Sequence, residues 1–397
     1  MTQSLPMKEH FHLPDGVIYL DGNSLGPLPN RVRARAQHVI ETQWADGLIT
    51  SWNKAGWMDL PRAVGDKIAP LIGAEKDSVR VGDTLSIQVY SALSAAIKMR
   101  PERRIILSDQ DNFPSDLYMA QGLVELLGQG YELRLIEVDK IGDALSDDVA
   151  VVLLTQVDYR TGRLYDMAGI TRLVQAHGAV MIWDLAHSAG ALPVDLQASG
   201  PEFAVGCTYK YLNAGPGAPA FIYVRPDIAA LVQPALSGWM GHASPFDMSP
   251  DYQPADGAGR LRIGTPPVVQ MAMLDAALDL WDNISLDEIR AASLRLSGLF
   301  IKEVEARCPE FTLASPRDPE QRGSQVSFAF KEGYAFMQAL IAHGVIGDFR
   351  PPDLMRFGFT PLYLDEGDIL QALEIIEEVY LSQLWRDPAF QKRQPVT

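Results

Sequence analysis

The chain has 397 residues with 34 Lys and Arg against 50 Asp and Glu, a formal charge of −16. That length exceeds one ordinary domain, and that acidity excludes an extended basic footprint for nucleic acid or anionic lipid, leaving a small molecule or a second copy as the expected partner. Cys207 and Cys308 are the only cysteines, too few for a disulfide framework and without metal-ligand spacing, so no metal and a reducing compartment are expected.

The opening stretch "MTQSLPMKEHFHLP" has no basic segment leading into an apolar one, and no apolar run reaches the roughly 18 residues of a membrane span. These features predict a cytoplasmic protein with no membrane contact. Residues 81–99, "VGDTLSIQVYSALSAAIKM", predict a turn at Gly82 and Asp83 and a helix from about Thr84 to Ser86. Free N–H groups at such a helix start suit a phosphate, although Thr or Ser before a helix is ordinarily just a cap.

Short β-rich apolar runs then recur at 104–109, 133–139, 150–157, 179–184, 203–208 and 220–224. Helix-like stretches separate several of them, such as "DLYMAQGLVELLGQG" and "MAGITRLVQAHG", the second closing at Gly178. This alternation predicts an α/β fold with a mostly parallel sheet, helices on both faces, and ligands at the carboxyl ends of the strands. Asp109, Thr155, Asp184 and Thr208 fall there. From about residue 285 a long amphipathic helix, a strand candidate "GSQVSFAF" and further helices predict a smaller α+β unit. The expected division is an N-terminal segment (1–50) packing with the small domain, a large domain (51–284) and a small domain (285–397).

Two stretches at strand ends carry the chemistry. "WDLAHSAGALPVDL" puts Asp184 after one apolar run, and "GCTYKYLNAGPGAPAF" puts Lys210 between Tyr209 and Tyr211 after the next. A lysine in a loop is ordinarily a solvated charge, and Asp184 alone could be a helix N-cap. Together, one helical crossover apart, they offer a carboxylate and an amine to one cleft. Pyridoxal phosphate needs that pair: a lysine for the Schiff base and an acid to keep the pyridine nitrogen protonated. Phe113 could stack on a planar ring or pack in the core; Ser115 and Asp116 could cap a helix; His187 could contact the cofactor or orient Asp184.

With "YLDGNSLGPLP", "GLITSWNKAGW", "NFPSDLY", "LSGWMGH" and "MRFGFTPLY", these stretches resemble the kynureninase family across essentially the whole chain, in its bacterial, kynurenine-preferring type. The resemblance implies the aspartate aminotransferase-like fold of pyridoxal-phosphate-dependent transferases (fold type I). It also implies hydrolysis of L-kynurenine to anthranilate and L-alanine in tryptophan catabolism. It gives Lys210 the Schiff base, Asp184 the pyridine nitrogen and Phe113 the ring face, with Leu85, Ser86, Pro114, Ser115, Asp116, Thr155, His187 and Tyr209 completing the cofactor pocket. Tyr209 is further expected to deliver protons. Trp239 and Thr265 are expected from the neighbouring subunit of a homodimer, Arg356 at the substrate α-carboxylate with Arg350 as a lesser candidate, and Trp52 at the aryl ring beside Thr265.

Two rivals remain at this point. A cysteine desulfurase or aminotransferase would share the Asp and Lys spacing, but neither Cys207 nor Cys308 suits a mobile reactive loop. A dinucleotide-binding protein would need a GxGxxG turn after a strand, which the chain lacks.

Overall fold

Seven strands form the main sheet: β1 (Val79–Val81), β2 (Ile105–Asp109), β3 (Glu132–Ile136), β4 (Val149–Thr155), β5 (Val180–Asp184), β6 (Phe203–Gly206) and β7 (Phe221–Val224). This computed structural model describes residues 5–393; the outermost four residues of the expected N- and C-terminal segments lie outside the described residues. The strand order is β1-β7-β6-β5-β4-β2-β3. Strands β2 to β6 run parallel to one another, and β7 runs antiparallel to both β6 and β1.

The mostly parallel sheet follows the sequence pattern, with differences at its margins. The strand Val79–Val81 is too short to give an apolar run and escapes a reading based on run length. The run at 133–139 leaves the sheet at Ile136 and turns into a short 3-10 helix, Val138–Lys140. Every residue of β4 and β5 is buried, as strands covered on both faces require. Alternate residues serve opposite layers: Val180 and Ile182 pack with Val89 and Leu93 of the helix Leu85–Lys98, whereas Met181 and Trp183 join the core on the other face.

A second, antiparallel sheet contains β8 (Thr312–Leu313), β9 (Gln325–Ala329), β10 (Asp348–Arg350) and β11 (Leu354–Gly358), in the order β8-β9-β11-β10. The helix Leu286–Arg307 opens where Ser285 accepts a hydrogen bond from the Glu288 N–H, a cap readable in the sequence. Its Phe300 ring packs 4.9 Å from Phe357 and 5.2 Å from Phe359. Among the described residues no helix is long and apolar enough to cross a membrane.

The N-terminal segment ties the two sheets together. Ile18–Tyr19 pairs in parallel with Val345–Ile346, and Gly358 donates its N–H to Leu20 O at 2.7 Å. Further on, the Gly26 N–H bonds Tyr209 O at 2.8 Å. A Cβ at Gly26 would collide with the Lys210 carbonyl and the Asn213 side chain, so the glycine permits the close approach of "GNSLG" to the lysine loop.

Candidate active site

Strand β5 ends at Asp184, which stands opposite Thr155 at the end of β4. The neighbouring strand β6 ends at Gly206, and Lys210 follows in the next loop. Adjacent parallel strands therefore deliver the acid and the amine to one edge of the sheet. Asp184 is buried, and its Oδ1 accepts the Ala186 N–H at 2.8 Å. Burial pushes its carboxyl up to about 6, opposed by the Lys210 charge and by the Ala186 N–H, which leaves it ionised at neutral pH.

The Lys210 Nζ lies 2.9 Å from His187 Nε2, 6.0 Å from the Phe113 ring centroid and 5.9 Å from that of Tyr209. Burial holds the His187 imidazole well below its usual range, reinforced by the charges of Lys210, Arg356 and Arg350 and opposed by Gln325. The imidazole is neutral, so the lysine amine donates and Nε2 accepts. Burial also raises the Tyr209 phenol, with Cys207 adding to the shift; Tyr209 carries its proton throughout the physiological range.

Two 14-residue helices, Leu85–Lys98 and Pro114–Leu127, begin side by side. Neither Thr84 nor Phe113, the residues preceding them, caps its helix with a side chain, so first-turn N–H groups of both lack side-chain partners. The hydroxyls of Ser86 and Ser115 meet at 2.8 Å between these helix starts. Such a convergence of N–H groups, hydroxyls and helix dipoles suits a phosphate. Pro114 occupies the first helical turn, where its missing N–H costs nothing.

Asp116 is buried, and its Oδ2 has no hydrogen-bond partner among the described residues. Burial, then repulsion from Asp184, pushes its carboxyl well above the usual range, with Lys210 pulling the other way. An unpartnered buried polar atom costs about 1–3 kcal/mol. Its position beside Asp184 and Lys210 marks a place where a polar ligand group is accommodated.

Arg356 lies on β11 and is only 2% exposed. Its Nε donates to Asp348 Oδ1 at 2.6 Å, and its Nη2 reaches Asp348 Oδ2 and, at 2.9 Å, Ser24 Oγ. Nη1 donates to Tyr159 O at 2.5 Å. The bidentate edge of the guanidinium therefore faces Asp348 from the adjoining strand β10. Arg350 adds a contact to Asp348 Oδ2 at 2.8 Å and is the more exposed of the two arginines.

The remaining candidates are more dispersed. Thr155 uses its hydroxyl on Val157 O at 3.0 Å. Trp52 packs edge-on against Trp57 with centroids 5.6 Å apart. Trp239 is 40% exposed, in contact with Phe246, and exposed Thr265 lines a small cavity with Gly82 and Asp83. Sequence reasoning missed Asp348, Ser24 and Tyr159 as the residues that hold Arg356. Ser24 stands inside the quoted "LDGNSLG" stretch, but nothing local links it to a residue more than three hundred positions away.

The sheet order, with an acid and a lysine at the ends of β5 and β6, defines the class: the chain has the fold of pyridoxal-phosphate-dependent enzymes of fold type I. Solved structures agree. A cysteine desulfurase from Thermococcus onnurineus superposes with a TM-score of 0.81 at 19% identity, covering 96% of this chain and 99% of that one. A C-DES mutant with glycine covalently linked to the PLP cofactor gives 0.83 at 18% identity, covering 94% and 99%. Residues 289–376 match the kynureninase C-terminal domain family. The kynureninase of Pseudomonas fluorescens is 49% identical over 99% of this chain and 96% of its own length, as is that of Burkholderia mallei. The chain belongs to the kynureninase family.

Proposed function

We propose that this chain binds pyridoxal phosphate and hydrolyses the Cβ–Cγ bond of L-kynurenine, giving anthranilate and L-alanine. The observation that carries the reading is the pairing of buried Asp184 with Lys210 at adjacent strand ends, the lysine amine fixed 2.9 Å from a neutral His187. The residues present fit the cofactor: an unpartnered buried Asp116 Oδ2 and two helix starts without side-chain caps await a polar and an anionic group. When bound, the cofactor supplies an electron sink for bond breaking next to the substrate amine.

The protein's own groups do the rest. The hydroxyls of Ser86 and Ser115, the N–H groups after Thr84 and the Ser115 N–H would hold the phosphate. Asp184, ionised at neutral pH, would hold the ring-nitrogen proton in place. Phe113 would cover the ring face. Lys210 Nζ would take the substrate α-proton, with His187 fixing the amine's position. Arg356, oriented by Asp348, would bind the α-carboxylate together with Arg350.

Tyr209, a neutral phenol beside Lys210, would deliver protons late in the reaction. Tyr209→Phe should then lower kcat by about 10²-fold or more with little change in KM; unchanged turnover would remove that role. The competing desulfurase reading lacks a nucleophile, because both thiols are buried and burial raises both, Cys308 to about 12.

The homodimer belongs to the same proposal. Ile40, Trp44, Leu48 and Ile49 leave apolar side chains exposed, as do Trp239 and Phe246, and such side chains would suit an association face. Trp52 and Thr265 would meet the substrate's aryl ring. The test of the function is anthranilate release from L-kynurenine by the yellow holoenzyme. Its kcat/KM should exceed that for 3-hydroxykynurenine by roughly tenfold or more; the reverse order would refute the ring assignment.

A further inference from the structure

The "LDGNSLG" stretch brings a second carboxyl to the arginine cluster. Asp348 is saturated: it accepts from both Nε and Nη2 of Arg356, from Arg350 Nη2 at 2.8 Å and from Ser24 Oγ at 2.6 Å. One acid faces two arginines, so the trio carries a net positive charge. The remaining carboxyl is Asp21, in one turn with Ser24, whose N–H bonds Asp21 O at 3.0 Å; the Asp21 Oδ1 is buried and has no hydrogen-bond partner among the described residues. The groups acting on it are Asp348, Arg356, Ser24 and Arg350. The Tyr19, Tyr211 and Tyr363 phenols also sense its charge, and burial raises all three, so they stay neutral.

We propose that Asp21 is a positioning residue whose ionisation sets how tightly Arg350 and Arg356 hold the substrate's α-carboxylate. The inference rests on reading those arginines as the carboxylate-binding pair. With Asp21 protonated, the cluster has one unmatched positive charge and an incoming carboxylate completes it. With Asp21 ionised, the two acids already balance the two arginines, and the incoming carboxylate meets a cluster with no net charge. Burial and repulsion from Asp348 raise the Asp21 carboxyl to about 7, against the pull of Arg356, Ser24 and Arg350, so the change falls within the working range. By linkage, substrate binding draws a proton onto Asp21.

The test measures KM for L-kynurenine between about pH 6 and 9 in the wild type, Asp21→Asn and Asp21→Glu. The wild-type KM should rise about fivefold or more through neutrality. Asp21→Asn should keep a low, flat KM, and Asp21→Glu should restore the inflection, with the differences in KM rather than kcat.

A second readout needs neither cofactor nor turnover. A carboxyl whose folded pKa is raised from about 3.9 opposes folding once ionised, so wild-type stability falls between about pH 4 and 7 and then levels. The thermal midpoint of cofactor-free Asp21→Asn should therefore climb relative to wild type across that window. Parallel KM profiles for wild type and Asp21→Asn would overturn the proposal, as would a constant difference in midpoint. A wild-type enzyme releasing no anthranilate would instead sink the functional reading, while the midpoints still decide whether Asp21 titrates.

Discussion

Lys210→Ala should lose the absorbance band of the lysine-linked cofactor and at least about 10⁴-fold in turnover. A positioned base alone contributes up to about that factor, and this lysine is also the expected attachment point of the cofactor. The loop carrying it is held from two sides: the Gly26 N–H bonds Tyr209 O, and His187 Nε2 takes the amine's hydrogen bond at 2.9 Å. Asp184 keeps its backbone position because β5 is buried along its whole length. The variant should therefore remain folded and still bind pyridoxal phosphate without a covalent bond, through Ser86 and Ser115. A spectrum and an anthranilate assay on the same preparation check both halves. Turnover near wild type would rule out the assignment of Lys210.

The second large effect is expected at a residue that touches neither cofactor nor substrate. Asp348→Ala should destabilise the protein by about 3–5 kcal/mol, because it leaves the guanidinium of Arg356, only 2% exposed, without its counter-charge. The same change frees that guanidinium to rotate, so KM for L-kynurenine should rise while the cofactor's absorbance stays unchanged. Denaturant unfolding reports the first effect and steady-state kinetics the second. Pairing Asp348→Ala with Arg356→Met should recover much of the stability, since the buried charge is then gone, but none of the substrate affinity. If Asp348→Ala proves as stable as wild type, the buried pair does not hold Arg356 as described.

The pairing of Asp184 with Lys210 was legible because each lies just beyond an apolar run, and strand ends in a parallel sheet converge by topology alone. The helix start near Thr84 to Ser86 was legible from the turn at Gly82 and Asp83, whereas the second helix, read from Asp116, begins two residues earlier at Pro114. What could not be read was that Ser86 and Ser115 meet at 2.8 Å, because two helices separated by a strand share no local signal. His187 was recognised by its spacing from Asp184, yet its hydrogen bond runs to Lys210. Which neighbour a side chain chooses depends on how adjacent strands bring their loops together.

By itself the sequence determined the alternating strands and helices, the acid and amine at successive strand ends, and the family these motifs mark, because apolar periodicity and short motifs are local properties of a chain. Only the tertiary structure decided the surroundings of Arg356. Ser24 and Tyr159 reach it from two distant segments, Asp348 from the adjoining strand, and Asp21 sits in the same turn as Ser24. Charge balance in a buried cluster is set by which groups share a low-dielectric space, and that is fixed when the N-terminal segment closes over both sheets.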